Sequence, residues 1–146
     1  MIHIGKEKTM IHYDAKQFIK TLWWPCYTEN CGFLLGEHVG EDWVVRTVVR
    51  TPNITHRDPT VAYAIGASAW EDVSATQAVI GHAHTHICGP SRPSMLDLRY
   101  IRRRELGAIL HLPTGTITFY TKDGVIATRR HKMPPIMNLI VHVVGY

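Results

Sequence analysis

Gly81-His-Ala-His-Thr-His-Ile-Cys-Gly-Pro-Ser-Arg-Pro-Ser-Met-Leu-Asp-Leu98 is the run on which the reading of this chain turns. Residues 77–86 carry Ala-Val-Ile near their start and predict a strand that ends at the histidines. Gly89, Pro90 and Pro93 make 87–93 a loop. Ser94 is an N-cap residue, so a helix is expected from 94 to about 105. Alternate residues of a strand share a face, which sets His84 and His86 side by side. Asp97 falls in the first turn of the helix, and the loop lets the chain fold back towards the strand. Two imidazoles and one carboxylate are a zinc-binding set that leaves the fourth tetrahedral position open, as catalytic rather than structural sites do. These residues point to a metal-dependent hydrolase with its site at the rim of a sheet.

Reading outward, strands alternate with a few helices. Residues 2–4 and 10–12 suit edge strands, and Asp14 is placed to cap a helix running to about Trp24, stopped by Pro25. Cys31-Gly-Phe-Leu-Leu-Gly36 reads as a buried strand that turns at Gly40-Glu41-Asp42 into 43–49, a hairpin. Residues 52–60 form a loop, 61–65 a short strand, and 68–74 a short helix with Ser68 and Glu71 at capping-box spacing. Further on, 106–112, 116–121 and 125–129 are strands separated by turns, and 136–144 is ambiguous between helix and strand. The expectation is an α/β (α+β) mixed β-sheet flanked by helices, in a single domain over 1–146.

Composition narrows the function classes. With 146 residues, 45% hydrophobic and 19% charged, the chain can bury one ordinary core and does not have the composition of a disordered protein. The net charge of +4 is spread over several segments and argues only weakly for an acidic partner. Cys26, Cys31 and Cys88 are an odd number with no CxxC, which suits a reducing compartment. The first residues lack a signal-peptide core and no apolar run nears membrane-spanning length, so the expectation is a cytoplasmic protein without a membrane role. Without a Gly-rich phosphate loop, a GxSxG or an HExxH, nucleotide hydrolysis, a serine hydrolase and the zincin class have no support.

Each half of the zinc motif is ordinary alone: His-x-His on a strand is commonly polar surface, and Ser-x-x-Asp is a common helix start. Their conjunction gains weight from a glutamate upstream. Attack by a metal-activated water still needs a group that takes a proton and hands it to the leaving amine. Glu29, at the entrance to the apolar strand in Glu29-Asn-Cys-Gly-Phe-Leu-Leu-Gly36, can do this if burial raises its pKa. By its local sequence alone it reads as a solvated loop carboxylate.

These residues resemble the JAMM, or MPN-plus, metalloproteases of the JAB/Mov34 superfamily. That family carries a glutamate and then His-Ser/Thr-His, seven residues, Ser, two residues, Asp. Here His84-Thr85-His86 is followed by residues 87–93, Ser94, Met95-Leu96 and Asp97, a full match. Glu29-Asn-Cys-Gly-Phe-Leu-Leu-Gly36 looks like the Glu-x-Cys-Gly-x-Leu-x-Gly strand of prokaryotic members, and the resemblance covers roughly residues 10–130. It implies a JAB/MPN-like, cytidine-deaminase-like fold with one Zn2+ per chain held by His84, His86 and Asp97. It further implies Glu29 as general acid/base and Ser94 as a donor to the oxyanion or the water. The implied reaction is hydrolysis of an amide or isopeptide bond at the C-terminus of a ubiquitin-like protein or its conjugate. Implied settings are bacterial conjugation operons, sulfur-carrier processing and phage tail assembly. A non-catalytic MPN-like interaction scaffold is the alternative, disfavoured because all five signature residues are present. A nucleic-acid role is disfavoured because DNA-repair-associated relatives usually read His-Asn-His-Pro, against Thr85 and Ile87 here.

Ile87 stands where many members have proline. Cys88 is either an added ligand or, as favoured, a partly buried structural thiol. His82 shares the strand face of the motif, but a strand rises roughly 6.5 Å per two residues, so it is expected beside the site rather than on the ion. Arg99, Arg102 and Arg103 are expected to share one solvated face of the helix. Trp23, Trp24 and Tyr27 read as a core edge or a substrate rim, with the core favoured.

Overall fold

A computed structural model of the chain describes residues 9–134; the expectations at 2–4 and 136–144 lie outside them. The described elements are β1 (Ile11–His12), α1 (Ala15–Leu22), β2 (Cys31–Val39), β3 (Asp42–Thr51), α2 (Ala67–Thr76), β4 (Val79–His86), α3 (Met95–Tyr100), β5 (Leu106–His111), β6 (Thr116–Thr121) and β7 (Gly124–Arg130). The strands form one mixed sheet in the order β1-β3-β2-β4-β5-β6-β7, with β1–β3 and β4–β5 parallel and the other pairs antiparallel. None of the described helices is long and apolar enough to cross a membrane.

The sheet has two chemically different faces. Leu34, Ala83, Ala108, Leu110, Ile117 and Phe119 point to one side, where they pack with Phe18, Ile19 and Leu22 of α1. Asp14 caps that helix as expected, its side chain accepting from the Gln17 amide. The Gln17 side chain then occupies the edge of β3 as a strand would: its Oε1 accepts from Val48 N at 3.0 Å and its Nε2 donates to Val48 O at 2.9 Å. The opposite face carries His84 and His86 of β4 beside a smaller cluster of Ile101, Ile109 and Tyr120. Gly81 permits the close β4–β5 approach, since a Cβ there would lie 1.7 Å from the Leu106 carbonyl oxygen. The parallel β4–β5 pair requires a crossover, and the segment containing α3 supplies it.

Several local expectations are corrected. Residues 61–65 form no strand: Asn53 Oδ1 accepts from Ala64 N at 3.0 Å and its Nδ2 donates to Ala62 O at 3.0 Å, so a side chain occupies groups a ladder would use. α2 begins at Ala67 after Gly66, with no side-chain cap, so the Ser68–Glu71 box is not formed. α3 ends at Tyr100, well short of 105, because Ile101 adopts an extended conformation and is buried. Arg102 and Arg103 therefore lie beyond the helix and share no helical face with Arg99. Trp24 and Tyr27 are exposed rather than core, and Trp23 is half-buried.

Candidate metal centre

β4 sits in the middle of the sheet, with His84 opposite Cys31 of β2 and Ile109 of β5, and His86 opposite His111. The alternation of β4 sends both motif histidines to the α3 side. The capping box of α3 turns Asp97 towards them: Asp97 N donates to Ser94 Oγ at 3.0 Å, and Ser94 N donates to Asp97 Oδ2 at 2.9 Å. His84 Nε2 lies 3.1 Å from His86 Nε2 and 3.2 Å from Asp97 Oδ2, and His86 Nε2 lies 3.3 Å from that oxygen. The three donors make a nearly equilateral triangle. Ligand atoms around a tetrahedral zinc at about 2.0–2.1 Å stand roughly 3.3 Å from one another, so the triangle has the span of such an ion.

A second carboxylate joins them. Glu29, His84 and His86 each offer a donor atom within 4.8 Å of the others. Asp97 contacts both imidazoles directly, at 3.2 and 3.3 Å, so the imidazole pair has a carboxylate on either hand.

Glu29 is positioned by its neighbour. Asn30 N donates to Thr85 Oγ1 at 2.8 Å, and Thr85 N donates to Asn30 O at 2.9 Å. The Asn30 amide group also donates to Leu22 O and Pro25 O, at 2.7 and 2.6 Å, and its oxygen accepts from Arg50 at 2.9 Å. The 52–60 loop holds Glu29 itself, whose N–H donates to Pro59 O at 2.6 Å while Asn53 donates to its carbonyl at 2.9 Å. Thr85, between the two histidines, thus faces away from the donors and latches the Glu29 segment to β4.

The electrostatics separate the two carboxylates. Burial raises the Glu29 carboxyl to about 8, against the pull of His86 and with a further push from Asp97. Burial would raise Asp97 too, but hydrogen bonds from His84, His86 and the Ser94 amide hold it far below the usual carboxylate range. Burial lowers His84 to about 4 despite its bond to Asp97, leaving a neutral imidazole near pH 7. Burial opposes the charging of His86 as well, yet bonds to Asp97 and the Pro90 carbonyl, with the Glu29 and Asp97 charges, give a net upward shift. At neutral pH the fold therefore places one ionised and one proton-holding carboxylate beside the imidazoles.

The two imidazoles are oriented differently. His86 Nδ1 is 3.0 Å from Pro90 O, the kind of contact that fixes a ligating tautomer with Nε2 free. The loop carrying Pro90 is pinned by His111, whose Nε2 is 2.8 Å from Gly89 O, and it needs Gly89 because φ there is +74°. His84 Nδ1 is buried without a hydrogen-bond partner. Its ring instead stacks on Tyr63, with centroids 4.1 Å apart and planes at 20°.

Glu29, His86, Ser94 and Asp97 line a cleft of about 780 Å³. Ser94 is exposed there; its oxygen accepts the Asp97 amide, leaving the hydroxyl proton for another acceptor. His82 lies apart, its Nδ1 3.7 Å from Glu105 Oε2. Cys88 is exposed on the cleft wall and outside the candidate donor cluster, correcting the expectation of a partly buried thiol. The structure thus gathers Glu29, His84, His86 and Asp97, with Ser94 at the rim. Asn30, Thr85, Tyr63 and His111 are supporting residues that sequence reading missed; strand register alone identifies the first two and the last, and no sequence signal marks Tyr63.

A sequence model described as prokaryotic homologs of the JAB domain matches residues 16–130. No curated protein matches the chain by sequence. Among solved structures, a Desulfitobacterium hafniense protein determined in solution superposes with a TM-score of 0.57 at 20% identity, covering 86% of this chain and 91% of that one. A Salinibacter ruber protein, also determined in solution, superposes with a TM-score of 0.51 at 21% identity, covering 82% and 86%. A JAB1/MPN domain protein from Archaeoglobus fulgidus gives 0.49 at 16% identity, covering 86% and 95%. The first two show the shared fold, and the family match spans most of the chain, both motif segments included: the chain belongs to the prokaryotic JAB domain family.

Proposed function

We propose that the protein is a zinc-dependent metalloprotease or isopeptidase that hydrolyses amide bonds at the C-terminus of a ubiquitin-like protein or its conjugate. The observation that carries this reading is the near-equilateral triangle of His84, His86 and Asp97 donors, at 3.1, 3.2 and 3.3 Å, beside the buried carboxyl of Glu29. His84, His86 and Asp97 would hold one Zn2+ per chain. When bound, the ion supplies Lewis acidity towards water and the scissile carbonyl. Glu29, whose ionised form the charge of the bound cation would favour, takes the proton of the attacking water and then delivers it to the departing amine. Ser94 donates its free hydroxyl proton to the developing oxyanion. No side chain becomes acylated. The ubiquitin-like substrate and a conjugation or phage-assembly setting rest on the motif's resemblance, a cytoplasmic setting rests on the cysteine usage, and all belong to the proposal.

Metal analysis followed by an amidase assay tests it. About one zinc per chain is expected, lost in His84→Ala and Asp97→Ala together with hydrolysis of a ubiquitin-like C-terminal amide. Glu29→Gln should keep the metal and lose the hydrolysis. A protein that takes up no zinc when it is offered would be a non-catalytic member of the family.

A further inference from the structure

The cleft has a charge pattern that the hydrolytic residues leave unexplained. Arg57, Arg92 and Arg102 all line it and all are exposed. They come from three separate stretches: the segment after β3, the loop after β4 and the chain beyond α3. Arg102 is exposed by 76%, with its guanidinium 5.7 Å from the centre of the Trp70 ring, which gives the group a wall to lie on. The carboxylates around the cleft balance them only in part. Glu29 and Asp97 belong to the donor cluster. Glu105 is largely buried, accepts from Arg102 N at 2.8 Å, stands 4.0 Å from Arg102 Nε as its ion-pair partner and faces His82 at 3.7 Å, so its charge is already shared between Arg102 and His82. Glu71 is the one remaining exposed carboxylate among the described lining residues.

We infer that the cleft takes a polypeptide segment carrying acidic side chains next to the residues that enter the site. This rests on reading the cleft as a peptide site and names the substrate class it selects. The three arginines share the cleft lining with Trp70, Tyr63 and Leu96. An extended chain can lay apolar atoms on that lining while its carboxylates reach the arginines, with planar donor pairs matched to carboxylate oxygens. Solvent-exposed charges of this kind act mainly through encounter rate and salt sensitivity.

The test is a binding measurement on the full-length Glu29→Gln protein, read by fluorescence anisotropy and stopped-flow mixing. It compares an Asp/Glu-containing peptide, its Asn/Gln counterpart and a single-stranded oligonucleotide of equal charge. The acidic peptide should bind about tenfold or more tighter than the neutral one, chiefly through a faster on-rate. The advantage should shrink as salt rises from about 0.05 M to about 0.3 M. Arg57→Glu, Arg92→Glu and Arg102→Glu should each reduce it, and Arg99→Glu and Arg103→Glu, outside the cleft lining, should not. Equal binding of the two peptides, or an advantage untouched by the three reversals, overturns the inference. Tighter binding of the oligonucleotide than of the acidic peptide also overturns it. Because hydrolysis plays no part in this readout, discrimination by a protein that proves inactive would leave the inference standing while removing the proposed reaction.

Discussion

Thr85→Val isolates the latch that places Glu29. The side chain of Thr85 is wholly buried, and its Oγ1 accepts from Asn30 N at 2.8 Å. Valine keeps the shape and the strand preference but leaves a buried N–H without an acceptor. Stranding such a donor costs about 1–3 kcal/mol. The extra methyl burial offsets up to about 0.8 kcal/mol, so a net loss of about 1–2 kcal/mol is expected. Urea unfolding in the presence of chelator measures it, as a lower midpoint with an unchanged slope. Thermal unfolding should move down by roughly 3 °C or more. Amide exchange at Asn30 should quicken in Thr85→Val and stay slow in Thr85→Ser, which keeps the acceptor. Hydrolysis should fall more than zinc affinity, because the latch holds the Glu29 segment rather than the metal donors. A Thr85→Val protein as stable as the parent, with Asn30 exchange unchanged, would refute the latch.

Three further outcomes are expected. Tyr63→Ala removes the ring stacked on His84 and should weaken zinc binding about 10- to 100-fold; Tyr63→Phe keeps the ring and should bind normally, and a competition titration with a chromogenic chelator separates the two. The metal-free protein should lose stability as pH rises from about 6.5 to about 8. Burial raises Glu29 from 4.5 to about 8, and His86 is also shifted up, so the folded state holds protons there that the unfolded chain has released. Stabilisation from a raised pKa is present below the unfolded value and is lost as pH passes the folded one. His84, lowered to about 4, acts in the opposite sense, but below about 6.5. Chemical denaturation across that range should show Glu29→Gln to be less pH-sensitive than the parent; identical profiles would contradict the burial of Glu29. Gly81→Ala should unfold the β4–β5 pairing or cost several kcal/mol, since its Cβ would meet Leu106 O at 1.7 Å; circular dichroism melts would show it, and a parent-like melt would count against the register.

Local chemistry made much of the chain legible. Asp14 and Ser94 cap helices because a short polar side chain before a helix satisfies free N–H groups wherever the helix packs. His84 and His86 share a face because strand alternation is a backbone property. The Ser94-x-x-Asp97 spacing fixes both a capping box and the direction of the carboxylate. Family membership was likewise readable, since the motif spacing lies wholly in the order of residues. Local patterns misled where long-range partners took over. Residues 61–65 look like a strand, yet the Asn53 side chain claims Ala64 N and Ala62 O. The arginines after α3 look helical, yet burial of Ile101 ends that helix early.

By itself, then, the sequence determined the mixed-sheet class and the types and order of the candidate metal ligands, because capping, alternation and ligand spacing act over a few residues. Tertiary structure alone decided that the Asp97 carboxylate meets both imidazoles at 3.2 and 3.3 Å, that burial pushes the Glu29 carboxyl up to about 8, and that Asn30, Thr85 and Tyr63 hold them in place. Those depend on which strands become neighbours and on how far water is excluded, and both are set by contacts between residues tens of positions apart.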